Sequence, residues 1–527
     1  MTMAPHDSFR DKAANRDVRL WLGVIVLIAA MTVMRGLYAG LLDLRTDEAY
    51  YWTWSRESVL SFLDHPPMVA WFVRLGTAIF GDTSFGARFA GLLAMLATQI
   101  LLADMVWRVT RDARAVVTAV LMMEASLYFG LLMTKISPDV PQVLFVTAMV
   151  WALVRLAVSG DGRWWLAAGA FAGLAALSKF TIALLIPAVL VFALAPRWRG
   201  QWLRSPYPYA AAVIALLLFM PVVVWNVQHD WASFRFQAVR ATSATSEHTW
   251  SFRTFGEFIG LQFGLVGFVL LPVVLTGVGL TARRGFRRGD AIAMLLSTAV
   301  IVPLSYFLWK SFSLRIGDTW PTLIWPLGFA AAAINLVTLR QEGWSASFVA
   351  MSFRWARIAI VSGIAFVVVV CVYYLALPYN FIGRTDPVGG EAGYEAVVAR
   401  VEAELQKTGA TWIATTDYRT CAMLRWFFKT RVPVVQINER GRYQGFRAPD
   451  ISLIAGHVGL YVGREPENNP AIALWASVPA KREPLESVDR VWRGVVMDTY
   501  AIEKFTGWTP DLSPPRDSPL FGWRWLA

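Results

Sequence analysis

The sequence predicts a polytopic α-helical membrane protein that ends in a soluble α/β domain. Of its 527 residues, 56% are hydrophobic and only 16% are charged, and the mean hydropathy is +0.47. Uncharged or nearly uncharged stretches, each about 20 residues long and able to cross a hydrocarbon core, recur through the first 380 positions. This composition excludes an ordinary soluble protein, a disordered chain, a collagen and a coiled coil.

The apolar stretches predict about eleven membrane spans, each of the length that a bilayer core requires. The first, 20–42, carries Arg35 near its end, follows a basic N-terminus and has no small-residue cleavage site after its apolar core. We therefore expect an uncleaved signal anchor there. The other candidates are 84–107, 115–133, 138–158, 164–178, 180–195, 207–225, 258–282, 291–309, 320–339 and 358–383.

The distribution of charge fits a membrane protein and predicts no nucleic-acid partner. The first 377 residues contain 31 basic and 20 acidic residues, whereas the remainder contains 18 and 17. Lys and Arg concentrate in alternate loops, as the positive-inside rule requires if the N-terminus is cytoplasmic. We therefore expect a cytoplasmic segment at 1–19, a membrane domain at 20–380 and, after an odd number of spans, an outside domain at 381–527.

The C-terminal segment alternates helical and β-rich patterns. Helical periodicity covers 394–407 and 420–429, and β-rich runs occupy 411–415, 432–437, 457–462 and 493–497. This alternation predicts a small α/β domain with a partly parallel sheet. The chain has two cysteines, Cys371 and Cys421, which excludes a disulfide framework and a cysteine-based metal cluster.

The first predicted outside loop concentrates charged and aromatic side chains. Residues 43–52 read Asp-Leu-Arg-Thr-Asp-Glu-Ala-Tyr-Tyr-Trp, and residues 61–68 read Ser-Phe-Leu-Asp-His-Pro-Pro-Met. One interpretation is a solvated loop beside an interfacial belt of aromatic residues. The other is a functional site, because prolines stiffen the backbone that presents the charges.

This loop resembles the first-loop signature of a known family in Asp47-Glu48-Ala49-Tyr50-Tyr51-Trp52 and Asp64-His65-Pro66-Pro67. The family is the polyprenyl-phosphate-sugar-dependent glycosyltransferases of the membrane GT-C class. It includes protein mannosyltransferases, aminoarabinose transferases acting on lipid A, and rhizobial lipopolysaccharide galacturonosyltransferases. Residues 134–139, 178–181, 225–240 and 315–321 resemble later outside segments of that family, and Asp417-Tyr418-Arg419 is similar to a motif of its outside domain. The resemblance covers most of residues 20–380 and implies a GT-C fold.

The resemblance implies an inverting glycosyltransferase in a bacterial inner membrane, with its active site and C-terminal domain in the periplasm. Its donor would be a polyprenyl-phosphate-linked galacturonate, mannose or aminoarabinose-like sugar. Its acceptor would be a hydroxyl of lipid A, the lipopolysaccharide core, another envelope glycolipid or a protein, the last as in protein O-mannosyltransferases. Two other classes remain: a secondary transporter would place ionisable groups near mid-membrane, and a non-catalytic scaffold would tolerate the loss of Asp47.

Within this resemblance, three carboxylates are the candidate catalytic residues. Transfer with inversion needs a base that takes the proton of the acceptor hydroxyl. Asp47 is the candidate base, and Glu48 and Asp139 are candidates to orient or polarise it, since acidic neighbours raise the proton affinity of a carboxylate. Each of the three has an alternative role as a helix cap or a loop ion-pair partner.

The departing lipid phosphate needs cations, since negative charge develops on it. An arginine offers a bidentate fork and a lysine a point charge. Snorkelling at span ends is the alternative role, although Arg88, just inside a span, is costly unless it is paired. The candidate donor-binding residues are Arg56, His65, Arg88, Lys179, Arg315 and Asp318.

A divalent metal is the one cofactor that the sequence raises. Some relatives bind a metal near the corresponding acidic position, whereas the mannosyltransferases do without one. Asp64 and His229 are the candidate ligands, and His65 is adjacent. The aminoarabinose branch has Glu-Lys where this chain has Asp64-His65, which puts a carried-over phosphate contact at His65 in doubt. A single histidine at an interface is more often structural.

Overall fold

The computed structural model describes residues 5–242, 250–465 and 481–507. Contacts divide the chain into two compact units. The first, here called the helical unit, comprises Met1–Ala39, Arg88–Pro221 and Ser246–Tyr374. The second, here called the mixed unit, comprises Gly40–Ala87, Val222–Thr245 and Leu375–Ala527. The first predicted loop therefore belongs to the same unit as the C-terminal segment, while the boundaries 1–19, 20–380 and 381–527 stay a prediction.

The described residues form nineteen α-helices and six short 3₁₀ helices. In chain order, the α-helices are α1 (Pro5–Leu41), α2 (Thr46–Ser55), α3 (Met68–Phe80), α4 (Ser84–Thr110), α5 (Ala113–Ala125), α6 (Leu127–Gly130), α7 (Asp139–Ser159), α8 (Trp164–Ala176), α9 (Ile186–Ala193), α10 (Arg199–Trp202), α11 (Tyr207–Gln228), α12 (Ala232–Thr242), α13 (Phe252–Val266), α14 (Leu270–Arg288), α15 (Ala291–Lys310), α16 (Trp325–Thr338), α17 (Ala346–Ala376), α18 (Glu395–Thr408) and α19 (Tyr418–Phe428). The 3₁₀ helices are Leu132–Thr134, Phe180–Leu185, Trp320–Ile324, Gly383–Thr385, Arg440–Tyr443 and Ile451–Leu453.

Seven helical segments in the described part of the chain are long and apolar enough to cross a membrane. An eighth forms if α13 and α14, which are bent by 95° at their junction, count as one span. The polytopic helical class is thus confirmed, with seven or eight apolar spans rather than about eleven. The seven are Val18–Leu41, Ser84–Thr110, Asp139–Ser159, Tyr207–Gln228, Ala291–Lys310, Trp320–Thr338 and Ala346–Ala376.

Three predicted spans, 115–133, 164–178 and 180–195, fall short because breaks interrupt their helices. Helix α5 ends at Ala125, since Ser126 is extended. Helix α8 has 13 residues, and the extended Lys179 follows it before a 3₁₀ turn. The predicted 258–282 span bends at Gly267, whose φ of 128° favours glycine. The side of the membrane that each loop faces stays a prediction, because it depends on the span count.

Glycines on α8 allow α11 to approach it closely inside the helical unit. A Cβ atom at Gly169 would lie 2.3 Å from the carbonyl oxygen of Ala211, and one at Gly173 would lie 2.7 Å from the Cβ atom of Leu218. Small residues are the usual means by which membrane helices pack backbone to backbone. This contact therefore depends on the absence of a side chain at both positions.

The mixed unit contains a six-stranded mixed sheet in the described residues, with β2-β1-β3-β6-β4 as its strand order and β5 pairing with β6. Strand β1 is parallel to β2 and β3, and β6 is antiparallel to β3, β4 and β5. The partly parallel sheet predicted from the sequence is confirmed. The strands are β1 (Trp412–Thr415), β2 (Val434–Gln436), β3 (Gly459–Glu465), β4 (Lys481–Pro484), β5 (Val488–Trp492) and β6 (Val495–Thr506).

The core of this sheet lies on β1, β3 and β6. Trp412, Tyr461 and Phe505 pack in one buried cluster, with the Trp412 and Phe505 rings edge to face at 5.0 Å. Gly459 faces both rings, because a Cβ atom there would lie 2.4 Å from Phe505. Helix α19 follows β1 directly, so the sheet fixes where the N-terminus of that helix lies.

Changing Gly169 to Ala should lower the thermal midpoint of the detergent-solubilised protein. Alanine favours an isolated helix over glycine by about 1 kcal/mol, but here its methyl group collides with the α11 backbone, and overpacking costs about 1–3 kcal/mol. Gly256→Ala is the matched control, because Gly256 lies inside α13 with open space around it. Equal midpoints for the two variants would contradict the close α8–α11 contact.

Candidate active-site residues

A buried ion pair in the helical unit joins two of the predicted residues, Asp139 and Lys179. Helix α7 begins at Asp139, directly after Pro138, and Lys179 lies in the extended link after α8. The Lys179 Nζ atom lies 2.6 Å from Asp139 Oδ1. Their side chains are only 7% and 5% exposed. Each charge therefore has its counter-charge in direct contact, as a buried charge requires.

Neighbouring polar groups fix both partners of this pair. The Thr319 hydroxyl donates to Asp139 Oδ2 at 2.8 Å, so both carboxylate oxygens accept a hydrogen bond. The Gln142 amide donates to the Lys179 carbonyl at 3.1 Å. The Lys179 ammonium also lies 5.7 Å from the centre of the Trp320 ring, within cation–π range. A lysine has three N–H donors, so one bond to Asp139 does not exhaust its capacity.

The other predicted residues of the helical unit have different surroundings. Arg315 is 82% exposed, and its nearest carboxylate, Glu257, lies 3.8 Å away. Asp318 is exposed, and its Oδ1 accepts from the Thr319 amide at 2.9 Å. Arg88 is buried and donates to the Ala39 carbonyl at 2.9 Å. Arg315 is thus an accessible cation, whereas Arg88 makes a structural contact.

A second buried ion pair of the helical unit was not among the site residues predicted from the sequence. Arg35 contacts Glu124 at 2.5 Å and donates from Nε to the Phe129 carbonyl at 3.0 Å. The Gln99 amide also donates to Glu124. An arginine within an apolar run signals that a partner exists, but the sequence does not say which one. These contacts all lie within the protein, so we assign the pair a structural role.

In the mixed unit, the predicted base Asp47 lies in the first turn of α2 and is half-buried. Its neighbour Glu48 is fully buried and accepts the backbone N–H of Arg45 at 3.0 Å, which caps the helix. Both carboxylates lie in the first turn of α2, and a helix N-terminus stabilises negative charge. Glu48 therefore fixes the start of the helix that presents Asp47.

Tyr418 is a further partner of Asp47, from the N-terminus of α19. Its hydroxyl donates to Asp47 Oδ1 at 3.3 Å and accepts from Arg419 Nε at 3.2 Å. Burial is the main effect that raises the pKa of Tyr418, and the negative charge of Asp47 raises it further. The phenol therefore stays protonated and acts as a donor. Asp417 caps this helix at 3.1 and 2.9 Å through the amides of residues 419 and 420, which fixes the position of Tyr418.

Asp64, which the sequence offered as a metal ligand, forms an ion pair with Arg442. It also accepts the Tyr50 hydroxyl at 2.9 Å. Arg442 contacts Glu439 at 3.1 Å and lies 4.4 Å from the centre of the Tyr418 ring. Burial, and then the Asp64 carboxylate, raise the pKa of Tyr50, so this phenol is also a neutral donor. The Asp64 carboxylate is therefore already paired with an arginine.

The two predicted histidines also have separate environments. His65 is partly exposed. The His229 ring stacks on Trp225 at 4.2 Å, and its Nδ1 lies 2.8 Å from the Trp225 carbonyl oxygen. Within the residues that the structure describes, no three His, Cys, Asp or Glu side chains gather as metal ligands. The described residues therefore provide no third ligand for the metal site predicted at Asp64 and His229.

Arg56 lies at the C-terminal end of α2 beside a lysine that sequence analysis missed. Its guanidinium lies 3.4 Å from Asp82, and its side chain is 40% exposed. Lys429 lies over the rings of Trp52 and Trp426, at 4.8 and 3.1 Å from their centres. Burial is the largest effect and lowers the pKa of Lys429 to about 8. The negative charge of Asp82 opposes this lowering, and the positive charge of Arg56 adds to it.

Removing one member of the Asp139–Lys179 pair should destabilise the protein by about 3–5 kcal/mol, because a buried charge is left alone. Asp139→Asn and Lys179→Met should each lower the thermal midpoint in detergent. The double variant should recover part of the loss, since no unpaired charge remains. A double variant whose loss equals the sum of the single losses would show that the two groups do not interact.

The Lys429 titration should respond in opposite directions to its two charged neighbours. Arg56→Gln should raise the pKa and Asp82→Asn should lower it, as followed by NMR of ¹³C-methylated lysines. The exposed Arg464→Gln should leave it unchanged. The pKa of Lys429 in the folded protein is about 8, below the ordinary value of 10.5. Between about pH 8 and 10.5 the unfolded chain therefore binds more protons at Lys429 than the folded protein does. The contribution of Lys429 to the free energy of unfolding consequently rises with pH in that window. A pKa unaffected by Arg56→Gln would contradict this arrangement.

Similarity to known proteins agrees with these observations. The family described as dolichyl-phosphate-mannose-protein mannosyltransferase matches residues 64–225. The lipid A galacturonosyltransferase RgtD of Rhizobium johnstonii is 26% identical over 244 residues, which cover 45% of this chain and 49% of RgtD. An undecaprenyl phosphate-α-4-amino-4-deoxy-L-arabinose arabinosyl transferase of Sodalis glossinidius is 27% identical over 223 residues, or 39% of this chain and 40% of that protein. The chain therefore matches half or less of the length of these relatives.

A solved structure extends the likeness in fold. ArnT from Cupriavidus metallidurans, bound to undecaprenyl phosphate, superposes with a TM-score of 0.61 at 14% identity, covering 91% of this chain and 98% of ArnT. The fold is therefore that of ArnT, with many apolar helices and a C-terminal mixed sheet domain. The sequence similarity to RgtD and to the arabinosyl transferase and the likeness in fold to ArnT thus agree with each other, and the fold is that of a multi-pass helical membrane protein with a C-terminal mixed sheet domain.

Proposed function

We propose that this protein is an inverting glycosyltransferase that moves a sugar from a polyprenyl phosphate to a hydroxyl of a bacterial envelope acceptor. The observation that carries the proposal is the placement of Asp47, a half-buried carboxylate in the first turn of α2 that accepts a hydrogen bond from Tyr418. A base for an acceptor hydroxyl must be ionised, oriented and within reach of substrate. The Tyr418 hydrogen bond restricts the orientation of the Asp47 carboxylate, and the half-buried position of Asp47 leaves it partly accessible to substrate.

Asp47 takes the proton of the acceptor hydroxyl as that oxygen attacks the anomeric carbon of the donor. The bond between that carbon and the phosphate oxygen breaks, and the electron pair leaves with the polyprenyl phosphate. Attack from the face opposite the leaving group inverts the anomeric configuration. Glu48 acts indirectly, because it caps the helix that holds Asp47.

Lys179 and Arg315 are the cations that we propose for the donor phosphate. Lys179 is held by Asp139 and retains N–H donors for an anion. Arg315 is exposed, so it meets a lipid headgroup without first breaking a strong ion pair. Asp139 then acts as a positioning residue, because its carboxylate fixes the ammonium. Arg56, Arg88 and Asp318 are secondary candidates, since their described contacts serve the protein itself. His65 is also a secondary candidate, because it is only partly exposed.

The donor sugar and the acceptor follow from the relatives rather than from the geometry. RgtD is named for galacturonate transfer to lipid A, and the Sodalis relative is named for 4-amino-4-deoxy-L-arabinose carried on undecaprenyl phosphate. We therefore propose lipid A or the lipopolysaccharide core as the acceptor, in the bacterial inner membrane, with transfer at the periplasmic face. A protein acceptor is the alternative that the mannosyltransferase match at residues 64–225 favours.

The proposed reaction includes no metal-dependent step. Asp64 is neutralised by Arg442, and His229 is held by the Trp225 ring and carbonyl. These contacts give both residues structural roles. The Lys179 and Arg315 side chains supply the positive charge that a metal would otherwise bring to the phosphate.

Wild-type protein in proteoliposomes should transfer labelled sugar from one member of a donor panel to envelope lipid extract. The panel comprises polyprenyl phosphate galacturonate, mannose, glucose and aminoarabinose. Asp47→Asn should lower the transfer rate by about 100-fold or more, because general-base catalysis contributes roughly 10²–10⁴-fold. Label recovered in protein rather than lipid would select the protein acceptor.

Asp43→Asn is the matched control for Asp47→Asn. It removes an exposed carboxylate just before α2 that interacts with Glu395, and it should leave the rate within about twofold of wild type, since surface substitutions are usually benign. Full activity in a folded Asp47→Asn protein would refute the assignment of the base. Absence of transfer from every donor, with both lipid and protein acceptors present, would count against the proposed function itself.

A further inference from the structure

An apolar groove opens on the helical unit along α14, α16 and α17. Its volume is about 480 Å³, within the range of roughly 300–1,000 Å³ that is usual for small-ligand sites. Val273, Leu280, Leu336, Met351 and Trp355 are among the residues that line it. Its walls are therefore mostly hydrocarbon and aromatic, which suits an aliphatic chain.

Of the three groove-lining residues with a hydroxyl or amide side chain, Thr276, Asn335 and Ser352, the last two form hydrogen bonds within the protein. The Asn335 amide donates to Thr281 at 3.4 Å, and the Ser352 hydroxyl donates to the Phe348 carbonyl at 2.9 Å. Neither contact involves a group outside the helices. The interior of the groove therefore matches an apolar occupant rather than a sugar.

Arginines are concentrated in the chain segments that follow the C-terminal ends of α14 and α16 or lie at those ends. Two segments, 281–290 and 340–357, contain seven arginines and two acidic residues, Asp290 and Glu342. Arg284 lies 3.2 Å from Asp290 and 3.3 Å from Glu342. Among described residues, the other six arginines form no ion pair. They are Arg283, Arg287, Arg288, Arg340, Arg354 and Arg357.

Aromatic rings connect this arginine cluster to the groove. The Arg283 guanidinium lies 4.9 Å from the centre of the Trp344 ring. Trp344 stacks on Phe348 at 4.6 Å, and Phe348 lines the groove. On α14, Leu280 lines the groove, and Arg283 and Arg287 follow at helical spacings of three and four that keep them on the same face. A positive rim and an apolar channel therefore form one continuous surface.

We propose that this groove and its arginine rim bind an anionic glycerophospholipid, with an acyl chain in the groove and the phosphate at Arg283 and Arg287. Charge complementarity selects the occupant: several unpaired arginines favour a lipid with net negative charge over a zwitterionic one. The interfacial ring pair Trp344–Phe348 lies at the junction of headgroup and chain, where aromatic residues are enriched. None of the residues proposed for sugar transfer lines this groove, so this inference is independent of the proposed function.

Native mass spectrometry of the purified full-length protein tests this site. The protein is exposed to phosphatidylglycerol or phosphatidylcholine with identical acyl chains. Wild type should retain phosphatidylglycerol about tenfold more than phosphatidylcholine. Arg283→Gln/Arg287→Gln should bring the two lipids to about equal retention, because it removes the two cations proposed to hold the phosphate.

Two further variants separate a site from general attraction. Arg197→Gln/Arg204→Gln removes the same charge from exposed arginines outside the groove and should leave the preference unchanged. Ser352→Phe fills the groove without changing charge and should also reduce phosphatidylglycerol retention. Equal retention of both lipids by wild type, or equal losses in the two arginine pairs, would overturn the proposal. Full retention by a folded Ser352→Phe protein would overturn the placement of the acyl chain.

Discussion

A charge that leaves water needs a partner, and this constraint decides where the polar side chains of both units lie. Asp139 and Lys179 satisfy each other inside the helical unit, as do Arg35 and Glu124. In the mixed unit, Asp64 meets Arg442. The apolar helices supply most of the buried surface, but they tolerate these charges only because each has a counter-charge or carbonyl in contact. Pairs at such depth also hold their members in fixed positions.

That fixed geometry is what a transferase needs, since groups that are already oriented contribute more to a transition state than mobile ones do. Lys179 cannot move far from the Asp139 carboxylate, and Asp47 is held by the capped start of α2 and by Tyr418. The tyrosine stays neutral because burial opposes its ionisation. In the proposed reaction, the contacts that stabilise these residues are the same contacts that orient them.

Features that are local in the chain could be predicted from the sequence. Contacts between distant segments could not. Apolar stretches identified most spans, and alternating patterns identified the mixed sheet, because both signals extend over a few turns or strands. The breaks at Ser126 and Lys179 depend on backbone angles that hydropathy does not record. Asp47 was found through a loop motif, whereas its partner Tyr418 lies 371 residues away, and Arg442 follows Asp64 by 378 residues. No spacing rule connects such pairs.

The central claim is that an ionised carboxylate activates an acceptor hydroxyl for a single displacement at the anomeric carbon. The most direct measurement is the anomeric configuration of the purified product, determined by NMR and compared with that of the polyprenyl phosphate donor. The account predicts inversion in a single transfer step. Retention of configuration would contradict it, because a single displacement at the anomeric carbon inverts that centre.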